Sequence, residues 1–227
     1  MVKKKDLNSK DSIIKAAFSL FLQKGFKEVT IKNIMEITKL SKGAIYHHFE
    51  SKEDIYSATI ETYYFELMQP ERLNFKSGNF VQDIKYLCDF ALKLFDSIEN
   101  ISLKDSDYPI RNYFSFQLES EKNEAIHGQT TLTVSKFRNL IRDIIHVAHD
   151  NQQLKSNLDL EAITFTVIGL IEGVALHHST IKDNVKKELS KKYDLVFDSY
   201  LKFICADYLE LNSAYKKRQL ELTKVID

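Results

Sequence analysis

The side chains with the clearest chemical potential lie between Thr30 and Phe49, TIKNIMEITKLSKGAIYHHF. On a helix opened by Ser41, the residues Ala44, Ile45 and Phe49 fall on one side, with His48 beside them. Lys42, Gly43, Tyr46 and His47 are left on the other. That second face combines an ammonium, a bare backbone, a phenol and an imidazole. Lys42 can donate to guanine O6 and N7, and Gly43 permits close backbone approach, so the face has the chemistry of a base-edge reader. The same spacing also suits an ordinary helical corner. Lys52 stands at the first position of the next helix, where the dipole favours negative charge. It makes sense there as part of an anion site built from free N–H groups and an ammonium, or as a solvated lysine.

The elements that must position these groups can be read around them. Asn8 or Ser9 can cap a first helix running to Lys24, with Ile13, Ile14, Ala17, Phe18 and Phe21 as its buried stripe. Lys3, Lys4 and Lys5 precede it as a polar arm, either a solvated tail or a phosphate contact. Gly25 ends the helix, and Phe26 and Val29 anchor the connection. Thr30 can cap a short helix whose Ile31, Ile34, Met35 and Thr38 recur at i, i+3, i+4 and i+7. Leu40 breaks the phase, and Ser41 caps the second short helix. In Glu50-Ser51-Lys52-Glu53-Asp54, Ser51 is the cap and Asp54 its short-armed capping-box partner. Two short helices, a tight turn and a basic, aromatic outer face make the layout of a helix-turn-helix.

Composition sets the class. The chain has 227 residues, of which 44% are hydrophobic, with only 6 Gly and 2 Pro. Low punctuation and helical periodicity nearly throughout predict an all-α protein. Formal net charge is zero, but residues 1–60 carry a net +4 and residues 61–227 a net −4. A basic N-terminal segment on a mildly acidic body suits a phosphate-facing module attached to something else. Cys88 and Cys205 are far apart, which points to two buried thiols in a reducing compartment. No apolar segment follows the basic N-terminus as in a signal peptide. The longest nearly apolar run, Ala162 to Leu176, contains Glu172 and is short for a bilayer span. A cytoplasmic chain with no membrane partner is expected.

The run KDSIIKAAFSLFLQKGFKEVTIKNIMEITKLSKGAIYHHFESKEDIY resembles the N-terminal domain of the TetR family of bacterial transcriptional regulators. The likeness rests on Ala16-Ala17, Leu20-Phe21, Gly25-Phe26, Val29-Thr30-Ile31 and Ile34, then Ser41 through Phe49 leading into Ser51-Lys52-Glu53. It covers about fifty residues. Met35-Glu36-Ile37 departs from the family's usual small residues, which bears on packing. The resemblance implies that Thr30, Tyr46 and Lys52 bond DNA phosphates, while Lys42, Gly43 and His47 face base edges. His48 is expected to pack toward the first helix.

The body is expected to be helical. The helix opened at Ser51 should run to Met68, with Pro70 beyond. Further helices are predicted over 80–98, 110–118 and 121–150, the last with a kink near His127-Gly128. The segment 158–178 is apolar nearly all round, and Gly169 and Gly173 allow a close helix approach along one edge. A final helix is predicted over 187–211, with Ala214 to Asp227 as a charged, frayed end. Apolar surface beyond one face on both of these helices suggests that each packs on its own subunit and on a partner. Family resemblance implies the same: a homodimer through these last two long helices. Domain limits of 1–55 for the helix-turn-helix domain and 56–227 for a ligand-binding and dimerisation domain follow.

Among enzyme readings, metal catalysis is the main alternative. Glu124 to His127 matches one Glu-x-x-His element of a di-metal bundle, and Asp143 to His146 is an imperfect second. On one unbroken helix they would lie about 28 Å apart and could not share a metal. No P-loop, dinucleotide loop or nucleophile elbow is present, and no cofactor is expected. The aromatic residues Phe90, Phe95, Tyr113, Phe114, Phe116, Phe137 and Phe165 serve core packing or line a cavity. Regulators of the resembled type carry such a cavity for a small apolar effector. Here Phe90, Phe95, Tyr113, Phe114, Phe137 and Phe165 are its candidate lining, between helices spanning 80–98, 110–150 and 158–178. Glu119, Glu121 and Glu124 admit a cationic effector. The expected function is a ligand-responsive repressor that binds a palindromic operator as a dimer. A DNA-binding protein without an effector is the second reading.

Overall fold

A computed structural model describes residues 2–65, 77–101, 108–120, 122, 127–182 and 184–223. Among them, the regular elements are helices: α1 (Val2–Glu28), α2 (Ile31–Thr38), α3 (Lys42–His48), α4 (Lys52–Thr59) with a π-helical continuation (Ile60–Phe65), α5 (Phe80–Ile101), α6 (Pro109–Ser120), α7 (His127–Asp150), α8 (Leu160–His177), α9 (Val185–Ile204) and α10 (Tyr208–Thr223). These residues gather into two compact units. One comprises Met1–Gln69, Leu94–Val134 and Ser179–Asp183; the other comprises Pro70–Lys93, Ser135–His178 and Asn184–Asp227.

In the first unit α1 packs on α2, α3, α4 and α6. Its stripe of Ile13, Ala17, Phe18 and Phe21 is buried as its spacing predicts. Phe18 stacks on Tyr63 at 4.5 Å and meets Phe116 of α6 edge-on at 5.3 Å. Tyr56 of α4 lies edge-on to Phe21 at 5.0 Å and within 5.6 Å of Phe116. Each fully buried aromatic ring contributes on the order of 2 kcal/mol from area alone. The shared cluster therefore fixes α6 firmly against α1 and α4.

Several boundaries differ from expectation. The backbone is helical from Val2, ahead of the expected cap at Asn8 or Ser9; no Gly or Pro interrupts the segment, and lysine is a good helix former. The helix opened at Ser51 is regular only to Thr59. There the Thr59 hydroxyl donates to the Tyr56 carbonyl at 2.7 Å, and the ladder widens into the π turn. Met68 and Pro70 lie outside the described residues, as do residues 123–126 ahead of the expected kink. α5 continues to Ile101, beyond the predicted end at 98.

The expected helix over 187–211 is two helices. Cys205 is extended (φ −71°, ψ 144°) and bridges to Leu154. Lys155 N donates to Ile204 O and Ala206 N to Gln153 O, both at 2.9 Å. Backbone pairing with a distant turn takes the hydrogen bonds that would continue the helix, and Asp207 restarts it by accepting from Glu210 N at 3.0 Å. In the second unit Lys85 of α5 sits between Asp194 and Asp198 of α9 at 2.9 and 2.8 Å. Burial alone would lower the Lys85 ammonium, but bonds to Asp198 and Asp194 more than offset this and hold it above its usual value. Arg218 of α10 donates to Ser77 O and Gln82 Oε1, both at 3.1 Å. Cys88 and Cys205 are free and buried, and burial pushes both thiols up.

α8 is capped by Asp159 and is 18 residues long. By length and composition alone it reaches what a bilayer span requires, which amends the shorter estimate from the sequence. One side of it, Ile163, Val167, Ile171 and Ala175, is buried within the unit. The other is not: Phe165 is 52% exposed and Leu176 55%. A helix apolar all round is thus covered on one side only within a single chain.

Candidate nucleic-acid interface

Local capping chemistry shapes the helix-turn-helix. Thr30 is extended (φ −114°, ψ 158°); its hydroxyl accepts from Asn33 N at 3.3 Å and donates to Asn33 Oδ1 at 2.8 Å, while Thr30 N donates to the same oxygen at 2.9 Å. Asn33 therefore supplies a capping box unnoticed in the sequence. Ile34 is fully buried and orients α2. Lys39 closes α2 in the left-handed region at φ 59°, its N–H donating to Met35 O at 2.9 Å. Ser41 then caps α3 by accepting from Ala44 N at 3.2 Å.

The two faces of α3 separate as the spacing predicts. Ile45 and Phe49 are buried. Lys42, Gly43 and His47 are exposed, and Tyr46 is 44% exposed. The Lys42 ammonium lies 5.7 Å from the Tyr46 ring centroid, so these two are neighbours on one surface. The nearest atom to a Cβ added at Gly43 is Ser41 Oγ at 3.9 Å, so nothing in the chain requires glycine there. His48 is half-buried, with its ring centroid 5.2 Å from that of His47.

At α4 the predicted Ser51–Asp54 capping box is present: Ser51 Oγ accepts from Asp54 N at 3.0 Å, and Asp54 Oδ2 accepts from Ser51 N at 3.1 Å. Lys52 points back along its own unit. Its Nζ donates to Phe26 O at 2.9 Å and Val29 O at 3.0 Å, and lies 4.2 Å from the Phe26 ring centroid. Two of its three N–H groups are thus committed within the chain, leaving one for an external acceptor.

Gly25 has φ 77° and ψ 162°, a conformation open to glycine and costly for any other residue. The break leaves Phe26 N–H without its helical partner, and Glu119 Oε2 of α6 accepts from it at 2.8 Å. Sequence reasoning did not find this contact, because residues 93 positions apart carry no local signal. Glu119, a candidate partner for a cationic ligand, commits one carboxylate oxygen to this bond. Glu121 and Glu124 lie outside the described residues. Burial, and after it the Glu119 charge, hold the Tyr56 phenol well above its usual value.

The six aromatic ligand candidates fall into separate groups. Phe95, Tyr113 and Phe114 cluster in the first unit, with centroids 5.5–6.2 Å apart. Phe90 and Phe137 pair in the second at 5.9 Å. Phe165 is half-exposed on α8, with Arg138 at 5.8 Å from its ring centroid.

A capped pair of short helices, with an exposed basic and aromatic face on the second, is the working part of a helix-turn-helix transcriptional regulator. Comparison with known proteins narrows the class. Residues 13–59 match the sequence profile of the bacterial regulatory proteins, tetR family. The HTH-type transcriptional regulator QacR of Staphylococcus aureus is 24% identical over 198 residues, covering 84% of this chain and 97% of that protein. The negative transcriptional regulator of the S. aureus biofilm operon, IcaR, is 31% identical over 77 residues, 34% of this chain and 41% of its own length. In fold, the chain is similar to a TetR transcriptional regulator from Chloroflexus aurantiacus, with TM-score 0.59 and 20% identity over 89% of this chain and 98% of that one. It is likewise similar to the TetR family protein CprB from Streptomyces coelicolor, with TM-score 0.59 and 15% identity over 94% and 98%. Residues 13–59 thus carry a domain of the tetR-family type, and the matches together support a DNA-binding transcriptional regulator.

Proposed function

We propose that the protein is a ligand-responsive repressor that binds a palindromic operator as a homodimer, in the cytoplasm. The observation that carries this is the outer face of α3, where Lys42, Gly43, Tyr46 and His47 are all exposed. Lys42 and His47 reach base edges, with Gly43 admitting the backbone to the groove floor. Thr30, Tyr46 and the remaining donor of Lys52 hold phosphates. The division of domains at about residue 55 expresses the same reading, with effector binding and dimerisation assigned to 56–227.

Dimerisation is supported by α8. Taking 100° per residue, Ala162, Phe165, Thr166, Glu172, Gly173 and Leu176 all lie within about 60° of Gly169, and all are exposed. Among the described residues nothing outside the helix's own backbone lies within 4 Å of a Cβ added at Gly169 or Gly173, so no packing between them calls for glycine there. A close-approaching helix of a second copy does. Leu195 and Phe203 of α9, 67% and 69% exposed, extend the apolar surface. Effector responsiveness follows from population shift: a ligand held by the aromatic cluster of Phe95, Tyr113 and Phe114, or separately by the pair Phe90 and Phe137, favours a conformation whose recognition helices are wrongly spaced for DNA.

Selection of duplexes from a random library, followed by gel retardation, tests the reading. A two-fold symmetric site should emerge. Lys42→Ala and His47→Ala should change the preferred sequence, and Tyr46→Phe should weaken all sites alike. No retardation of any duplex across a range of salt would overturn the proposal.

A further inference from the structure

The helix-turn-helix is held from outside the segment that matches the family's DNA-binding domain. Glu119 is the second-last residue of α6, distant in sequence from residues 13–59. Its Oε2 accepts from Phe26 N at 2.8 Å, and a Cβ added at Gly25 would lie 3.2 Å from the same oxygen. The next peptide atoms are gripped from the other side, where Lys52 Nζ binds Phe26 O and Val29 O. Residues 26–29 are thus held between an anion from α6 and a cation from α4, and they lead directly into Thr30, the cap of α2. A carboxylate near a helix C-terminus opposes the helix dipole, so Glu119 brings α6 no local stability. Its position makes sense through what it does for α1 and α2. Phe116, one turn earlier, is buried against Phe18 and Tyr56 and keeps the carboxylate in place.

We propose that Glu119 is a positioning residue for DNA binding. It anchors the Phe26 amide, sets where α2 begins relative to α1, and so aims α3. The inference rests on the proposed DNA-reading role of α3. Misaimed recognition helices lose base contacts, which need fixed geometry, while adaptable phosphate contacts survive. Glu119 itself touches no DNA.

The experiment uses the full chain and two duplexes: one selected from a random library by the wild-type protein, and a scrambled duplex of equal length. Binding is followed by fluorescence anisotropy at several salt concentrations. Glu119→Ala should weaken binding to the selected duplex by about tenfold or more, change binding to the scrambled duplex by less than about twofold, and leave the salt slope unaltered. Glu119→Gln retains an acceptor oxygen and should return specific affinity to within about threefold of wild type. Hydrogen exchange across residues 22–30 should accelerate in Glu119→Ala and not in Glu119→Gln. If Glu119→Ala does not fold, Glu119→Met, which keeps bulk without an acceptor, takes its place. Unchanged specific affinity despite accelerated exchange overturns the proposal, as does equal weakening of both duplexes or absence of rescue by glutamine. Failure of the wild-type chain to select any sequence would instead defeat the DNA-reading proposal, while the exchange measurement would still report on the anchor.

Discussion

Removing the Lys52 ammonium tests how the connection between α1 and α2 is braced. In the folded chain Nζ makes two bonds to backbone carbonyls, at 2.9 and 3.0 Å, and sits over the Phe26 ring. Charge-assisted bonds at part-exposed positions are worth about 1 kcal/mol each after allowance for solvent, so Lys52→Ala should cost about 2 kcal/mol. For a chain of this size that is a fall of about 4–8 °C in the melting temperature. Lys52→Met keeps the aliphatic stem over Phe26 and should recover only a small part of the loss. Thermal melts followed by circular dichroism read this directly. The remaining N–H is available to a phosphate, so the slope of log K against log salt should also flatten, by about 0.9 per protomer. A melting temperature within 1 °C of wild type would refute the brace. A lowered melting temperature with an unaltered slope would remove Lys52 from the phosphate contacts and leave it a purely internal support.

Two further outcomes follow from the second unit. Gly173→Leu, at an exposed position where an added Cβ has no described neighbour within 4 Å outside its own helix backbone, should yield a folded monomer by sedimentation at concentrations where wild type is dimeric; a persistent dimer would place the interface elsewhere. For Asp198, burial alone would raise the carboxyl, but the Lys85 hydrogen bond and charge, with the Tyr208 hydroxyl, hold it below the usual range. A lowered carboxylate value contributes stability above about pH 4 that is lost as pH falls through the folded value, and the raised Lys85 contributes until pH rises through its own. Lys85→Met should therefore destabilise by about 1–2 kcal/mol between about pH 5 and 9, with the difference shrinking below pH 4 in denaturant titrations. A difference independent of pH would refute the ion-pair reading.

Helix starts at Thr30, Ser41 and Ser51 were legible because capping joins residues three apart and depends on side-chain type alone. The division of α3 into a buried Ile45–Phe49 side and an exposed Lys42–Tyr46 side was legible for the same reason, since helical periodicity assigns faces locally. The Asn33 capping box was legible in principle, but asparagine is a less familiar partner there than glutamate or glutamine. The break after Ile204 was not legible. Its sequence continues in helical phase, and only pairing of Cys205 with Leu154 redirects the backbone.

Lys52 shows the same limit at the site. Its charge at a helix start suggested an external anion, yet the folded chain brings two carbonyls to it from residues more than twenty positions earlier. Glu119, a candidate contact for a cationic effector on sequence grounds, holds the Phe26 amide through a bond that no local pattern announces. The sequence by itself determined the all-α class, the caps at Thr30, Ser41 and Ser51, the exposed side of α3 and the likeness of residues 13–59 to the tetR family. Tertiary structure alone decided which charges are spent inside the chain, where α9 ends and which side of α8 stays uncovered. Local chemistry acts within one helical turn, whereas these last features depend on groups that only folding brings within hydrogen-bond or packing distance.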